Sequence, residues 1–314
     1  MAKKIRIIVV GIGAVGGFFG GMLAKKYAGS TDVEIDFIAR ERSVNAIKEN
    51  GLKIITPDYD YLVHPDKIDV NDKDFGLADY IIIAVKSYDL AESLKSVHNS
   101  IGPETVILPL LNGVDSREKI QKVYPSANVW DGCAYIVSRL TDPGVITESG
   151  TLHSIHFGSD FTSTTKLKEF ENILNDAEIV NVRSSDIQKT IWEKYIFISA
   201  VASLTCALDQ SVGQILLVDE DRQRLISLFE ESRSIAQAKG VNISDKIVEN
   251  SLSRLGKLPF ETTSSMHADF ARNSNTEYVS LTKHIVDLGK QLAVPTPSFE
   301  RCLREIKKAG IKPA

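Results

Sequence analysis

Cysteine is scarce in this chain. Three residues in 314, Cys133, Cys206 and Cys302, lie far apart and form no CxxC pair. That spacing supports neither a disulfide framework nor a zinc site, so the expectation is a reduced, cytoplasmic protein. Metal-ligand spacing is equally missing among His98, His153, His156, His267 and His284, which read as surface or structural residues. Excess charge of either sign is also lacking: 37 Lys+Arg against 41 Asp+Glu leave a net −4. Nucleic acid and anionic membranes therefore have no general attraction to this surface, and an anionic ligand must be met by locally placed cations. The longest charge-free apolar run, Tyr195–Leu208, is too short to span a bilayer and carries Ser199, Ser203 and Thr205, so it reads as a buried core helix. The opening MAKKIRIIVV has no small-residue cleavage site and reads as a first strand rather than a signal peptide. Repeats and low-complexity tracts are lacking too. What remains is a globular chain long enough for two domains.

What is present begins at Ile5. Five of the six residues Ile5–Val10 are apolar and β-branched, the composition of a strand buried on both faces of a parallel sheet. Gly11-Ile12-Gly13-Ala14-Val15-Gly16 follows with dinucleotide-turn spacing. Gly11 allows a tight strand-to-helix turn, Gly13 lets the backbone approach a pyrophosphate, and Gly16 lets the helix pack on the strand. The N–H groups and dipole of that helix then favour the diphosphate charge.

Strands and helices alternate from there. Val33–Ala39 is a second strand, a short helix through Val44 and Ile47 stops at Gly51, and Leu52–Val63 is a peripheral strand or hairpin broken by Pro57. Ala78–Val85 and Thr105–Leu111 repeat the double-sided strand pattern. Residues 127–160 are expected to add antiparallel strands that cap the sheet, followed by a helix through Leu167–Leu174 and a last strand at Glu178–Val182. Beyond about Ser185 the chain turns helical, with helices expected near 186–208, 212–239, 244–256, 262–271 and 275–292 and a tail helix after Pro295 and Pro297. The fold class is α/β: a Rossmann-type, doubly wound parallel sheet over 1–184, then an all-α domain over 185–314.

Ligands of open α/β sheets sit beyond the carboxyl ends of the strands, where this chain places Arg40, Lys86 and Asn112. An NAD site usually presents an acidic residue after the second strand; here Arg40 stands there, with Glu41 and Arg42 behind it. A planar, permanently charged guanidinium suits a 2′-phosphate, which favours NADP(H), although an arginine also begins a solvated loop well. Lys86 either reaches cofactor or snorkels to water, and Asn112-Gly113 is either a substrate contact or a common turn pair. Lys194 lies in Ile191-Trp192-Glu193-Lys194-Tyr195-Ile196-Phe197-Ile198, a helix apolar on nearly every face. Burial lowers a lysine's pKa and makes it a better proton donor near neutrality; the alternative is a lysine paired with Glu193 or Asp186. Glu277, after Asn273-Ser274-Asn275-Thr276, fits routine compensation of a helix dipole, and Ser264-Ser265-Met266 with Asp269 is a polar turn of similar ambiguity.

Taken in order, these pieces resemble the ketopantoate reductases (2-dehydropantoate 2-reductases). The resemblance covers nearly the whole chain and rests on Gly11–Gly17, Val85-Lys86, Asn112-Gly113, Trp192-x-Lys194, Leu204-Thr205, Ser264-Ser265-Met266, Thr276-Glu277 and Pro295-Thr296-Pro297. It implies an NADPH-dependent enzyme of pantothenate biosynthesis, a monomer or homodimer acting on a small 2-oxo acid, with no nucleic-acid, membrane or metal partner. Carried over by position, the general-acid lysine falls on Lys194, the substrate-contacting carboxylate on Glu277 and the hydroxyl for the substrate carboxylate on Ser265. The lysine and asparagine at the cofactor–substrate junction fall on Lys86 and Asn112, and the 2′-phosphate cation on Arg40. The chain departs from the family's pattern at Ile198, Ala202 and Thr262, where enzymes acting on ketopantoate commonly carry asparagines. Each amide lost weakens hydrogen bonding to a hydroxylated substrate by on the order of 1 kcal/mol. The rival expectations are therefore a reductase of another 2-oxo acid and, further off, an NADP(H)-binding sensor without chemistry.

Overall fold

The computed structural model describes residues 4–150, 153–159 and 163–310, so Met1–Lys3 of the expected first strand lie outside the described residues. The chain divides into two compact units: residues 1–111 with 115–187, and residues 112–114 with 188–314.

The first unit opens with β1 (Ile5–Val10), α1 (Ala14–Lys26), β2 (Val33–Ile38) and α2 (Glu41–Asn50), which ends on Gly51 at φ +76°. A hairpin, β3 (Leu52–Ile55) and β4 (Asp60–Val63), is followed by β5 (Lys67–Asp69), β6 (Tyr80–Ile83) and α3 (Leu90–Ser96). Then come β7 (Val106–Pro109), α4 (Ser116–Val123), β8 (Asn128–Val129), β9 (Asp131–Tyr135), β10 (Ser138–Asp142) and β11 (Val145–Glu148). The unit closes with β12 (Ser154–Gly158), α5 (Thr164–Asp176) and β13 (Asn181–Arg183).

Six strands form one parallel sheet in the order β5-β2-β1-β6-β7-β8. Numbered within the sheet this is 3-2-1-4-5-6, the doubly wound Rossmann order. Alternation along each strand feeds two cores. Ile7, Val9, Phe37, Tyr80, Ile82, Val106 and Leu108 pack with Phe18, Phe19 and Leu23 of α1 and Phe170 of α5. Ile8, Val10, Ile38, Ile81, Ile83 and Ile107 pack on the other face with Leu90 and Leu94 of α3 and Ile120 of α4. Burial on both faces is why these strands read as continuous apolar runs. The register aligns Val10 with both Ile38 and Ile83, and Ile83 with Pro109, so the chain leaves four neighbouring strands at one edge.

Among the described residues of 127–160, part of the expected antiparallel arrangement is present, with β10 antiparallel to β11 and β12 antiparallel to β9, and the rest departs from it. Asn128–Val129 pair parallel with β7 as the sixth strand of the main sheet. The others form two smaller sheets, β10-β11-β3-β4 and β13-β12-β9, in which β11 runs parallel to β3 and β12 parallel to β13. Packing explains the first: fully buried Ile146 of β11 lies where a Cβ on Gly17 of α1 would be, 2.6 Å from its Cδ1.

The second unit is helical: α6 (Ile187–Leu208), α7 (Val212–Leu217), α8 (Asp219–Ala238), α9 (Ile247–Leu255), α10 (Ser265–Ala271), α11 (His284–Leu292) and α12 (Pro297–Lys308). A five-residue π-helical segment, Val279–Lys283, leads into α11. The single helix expected over 212–239 is two. Val218 is extended (φ −102°, ψ 116°), and Asp219, Glu220 and Asp221 start a new first turn, where acidic side chains complement the helix dipole. At 22 residues α6 is long and apolar enough to cross a bilayer by composition, but 67% of its apolar window is buried inside the protein. Its buried hydroxyls are satisfied internally, with Ser203 Oγ 2.7 Å from Thr282 Oγ1 and Thr205 Oγ1 donating to the Val201 carbonyl at 2.8 Å. This is a core helix. Trp192, Tyr195, Ile196 and Leu204 pack with Leu228 and Phe229 of α8, Ile285 of α11 and Phe299 of α12.

Candidate active site

In the first unit the candidate site starts at the turn between β1 and α1. Gly11 has φ +91°, and a Cβ on it would sit 2.4 Å from Val85 Cγ1 and 2.8 Å from the Ala84 carbonyl oxygen. On Gly16 a Cβ would lie 2.1 Å from the Gly11 carbonyl oxygen, so only glycine lets the helix seat against the turn. Gly13 is different. Its φ is −99°, open to any residue, and a Cβ there would meet nothing within 4 Å. Neither backbone nor packing requires glycine at 13; a ligand approaching the main chain would. The helix that follows has no side-chain cap and no acidic residue in its first turn, which leaves its leading N–H groups and dipole for an anion. Ile12 is buried beneath the turn, Val15 packs on the sheet's core, and the Ala14 carbonyl accepts from Ser138 Oγ at 3.0 Å.

Arg40 stands two residues beyond β2, at the N-cap of α2. Its carbonyl accepts from Ser43 N at 2.8 Å and Val44 N at 3.0 Å, which fixes the main chain. Its side chain is 80% exposed and its Nη2 donates to Asp89 Oδ2 at 2.6 Å. Asp89 closes the short 3₁₀ turn Ser87–Asp89 after β6, and its N–H donates to the Lys86 carbonyl at 2.9 Å. Lys86 itself is extended (φ −67°, ψ 146°) where that turn begins.

In the second unit Lys194, half-buried on α6, donates from Nζ to Asn112 Oδ1 at 3.2 Å. Asn112 belongs with the helices although it follows β7 in the chain. The next residue, Tyr195, donates from its hydroxyl to the Ser280 carbonyl at 2.6 Å. Ser280 in turn donates from its N–H (3.1 Å) and Oγ (3.0 Å) to the Glu277 carbonyl. The helix carrying Lys194 is thereby tied to the turn carrying Glu277, which is 2% exposed. A carboxylate is rarely buried to this degree without a task or a partner.

Ser265 is exposed at the first position of α10. Its neighbour Ser264 is already committed, accepting from His267 N at 3.0 Å and lying 2.9 Å from Thr205 Oγ1. Ile198 and Ala202, one and two turns beyond Lys194, join the apolar core of the unit, which accounts for their side chains by packing. Thr262 is held through its main chain, donating to the Pro259 carbonyl at 3.0 Å and accepting from Val212 N at 2.8 Å. Burial pushes the Cys206 and Cys302 thiols up to about 12, which removes thiolate chemistry at neutral pH. Sequence reasoning missed Asp89 and the Tyr195–Ser280 tie. Arg40 and Asp89 are 49 positions apart, so no local pattern marks the pair.

The chain matches the family model described as "Ketopantoate reductase PanE/ApbA" over residues 7–160 and the one described as "Ketopantoate reductase PanE/ApbA C terminal" over residues 186–309. It is similar to the crystal structure of 2-dehydropantoate 2-reductase from Porphyromonas gingivalis W83, with a TM-score of 0.85 and 31% identity, covering 97% of this chain and 100% of that one. It is 28% identical over 297 residues to "Uncharacterized oxidoreductase YkpB" of Bacillus subtilis, covering 94% of this chain and 96% of the relative. A 2-dehydropantoate 2-reductase of Streptococcus pyogenes is 25% identical over 308 residues, covering 96% and 97% of the two chains.

Proposed function

This chain belongs to the ketopantoate reductase family, a family of oxidoreductases, and we propose from that premise that it reduces 2-dehydropantoate (ketopantoate) to pantoate with NADPH, for pantothenate and coenzyme A biosynthesis. The observation that carries the reading is the Lys194 ammonium, half-buried on a core helix and donating to the Asn112 amide oxygen at 3.2 Å. The name of the Porphyromonas gingivalis relative supports the choice of substrate.

When bound, the nicotinamide supplies hydride to the carbonyl carbon of the oxo acid. Lys194 supplies the proton: as that carbon is reduced, the ammonium donates to the oxygen on which negative charge develops. Asn112 Oδ1 accepts from the ammonium at 3.2 Å and so holds it in place. Glu277 accepts from the substrate hydroxyl, and the Tyr195–Ser280 tie keeps its turn in register with α6. Ser265 holds the substrate carboxylate. Ile12, Ala14 and Val15, with the three glycines of the turn, hold the pyrophosphate; Arg40 takes the 2′-phosphate, and Lys86 closes the cofactor side.

The test is initial-rate oxidation of NADPH with ketopantoate beside a panel of 2-oxo acids. Efficient turnover of ketopantoate is expected. A second reading, reduction of a less hydroxylated 2-oxo acid, rests on Ile198 and Ala202, which put apolar groups beyond Lys194; a panel member turned over much faster than ketopantoate would favour it. Tight NADPH binding with no oxo acid reduced would leave a cofactor-binding sensor instead.

A further inference from the structure

We propose that Asp89 is a second reader of the cofactor's ribose, so that this chain takes NADH as well as NADPH; the inference rests on the cofactor reading above. In nucleotide-binding sheets of this order, an acidic residue after the second strand accepts from the ribose 2′-hydroxyl of NAD, and an arginine there receives a 2′-phosphate. Here Arg40 holds that position in the chain, yet a carboxylate reaches the same place in space. Asp89, delivered by the turn after β6, lies 2.6 Å from Nη2 of Arg40.

The two side chains differ in how they are held. Arg40 is 80% exposed and Asp89 25%, so the guanidinium is the partner with room to turn and the carboxylate the more enclosed one. Nη2 of the Arg40 fork meets Asp89 Oδ2, and guanidinium N–H donors are of the kind that grip a phosphate. A 2′-phosphate, however, brings a second anion beside Asp89, and that repulsion weakens the grip of Arg40. A ribose hydroxyl brings no charge. It donates to the carboxylate while the Arg40–Asp89 pair stays closed. The pair therefore reads either ribose, and Asp89 narrows the preference that Arg40 alone would create.

The experiment titrates NADPH and NADH separately into the wild-type chain and the variants Asp89→Asn, Asp89→Glu and Arg40→Gln, reading nicotinamide fluorescence for Kd. Asp89→Asn is expected to tighten NADPH by about 3- to 10-fold and to weaken NADH by a similar factor, the scale of one unit charge across a few ångströms near water. Asp89→Glu, which keeps the charge, should stay near the wild-type ratio of the two constants. A ratio that Asp89→Asn moves by less than about twofold overturns the proposal. Failure of the underlying reading looks different. Arg40→Gln with unchanged NADPH affinity removes Arg40 from phosphate recognition, and a wild-type chain that binds neither cofactor removes both. Binding without reduction of any 2-oxo acid sinks the catalytic assignment alone and leaves the ratio to be read.

Discussion

At the β1–α1 turn of the first unit the candidate ligand surface is made of backbone, and on α6 of the second it is made of a side chain. At the β1–α1 turn the groups on offer are main-chain N–H groups, and the sequence contributes mostly by leaving atoms out: two glycines that nothing else fits and a third whose side-chain space stands open. On α6 the candidate group is one half-buried ammonium, and the sequence contributes the core that packs the helix carrying it. Trp192, Tyr195 and Ile196 hold the helix, so that Lys194 is positioned by its neighbours' packing. A backbone site is robust to most substitutions and fails sterically. A side-chain site tolerates steric change in its surroundings and fails when one atom is removed.

That contrast can be broken most sharply at Lys194. Lys194→Ala is expected to lower turnover by on the order of 10²–10⁴, while NADPH affinity stays within about threefold, as read by steady-state rates beside cofactor titration. A parallel collapse of cofactor binding would mean that the two sites are not separable. Next in size are the glycines. Gly11→Ala forces a Cβ to 2.4 Å from Val85 Cγ1 at a positive φ, and a loss of about 2–4 kcal/mol is expected in urea unfolding. Gly13→Ala meets no atom of the chain, so stability should change by less than about 1 kcal/mol while NADPH affinity falls. Equal destabilisation by both would refute the reading that position 13 answers to a ligand.

The comparison extends to one carboxylate in each unit, fully buried in the first and half-buried in the second. Asp36 on β2 is fully buried, with the Arg6 guanidinium 3.2 Å away and no hydrogen-bond donor among the described residues. Burial first, then the nearby Glu34 charge, pushes its pKa up to about 7. Between its ordinary value of about 4 and that raised value, the unfolded chain releases the proton and the folded chain retains it, so stability falls as pH rises. Asp36→Asn should therefore gain on wild type by at most about 1.4 kcal/mol per pH unit across that window, with little further change above it. Urea melts at about pH 5 and about pH 8 check the slope; a difference independent of pH would contradict it. Glu231 on α8 is the satisfied counterpart, accepting from Ser298 N at 2.8 Å and Phe299 N at 3.1 Å in the first turn of α12. Glu231→Gln is expected to cost about 1 kcal/mol, measured by the same melts.

Legibility in the sequence followed the same division. The parallel strands were readable because burial on both faces leaves runs such as Tyr80–Ile83 with no polar alternation, and the nucleotide turn because its rule is steric. The Val218 break between α7 and α8 was not, since an acidic cluster inside a long helical pattern looks the same as one at a new first turn. Nor was the parallel pairing of β11 with β3, which joins residues about ninety positions apart. At the site, Lys194 could be marked as unusual by the helix around it, but its acceptor Asn112 is 82 positions away. Long-range pairs of this kind have no periodicity to betray them.

Asn112–Val114 form an island of three residues that cluster with the helices while the chain on either side of them clusters with the sheet. The polypeptide thus enters the helical unit briefly after β7, returns, and enters for good only after Ile187. In evolutionary terms the helical half is not a detachable cassette. A gene fusion that grafted residues from 188 onward onto a foreign nucleotide-binding domain would import Lys194 and leave its acceptor behind. Exchange between such proteins would have to bring the loop after β7 along, or find a host whose own loop already offers an amide in that place.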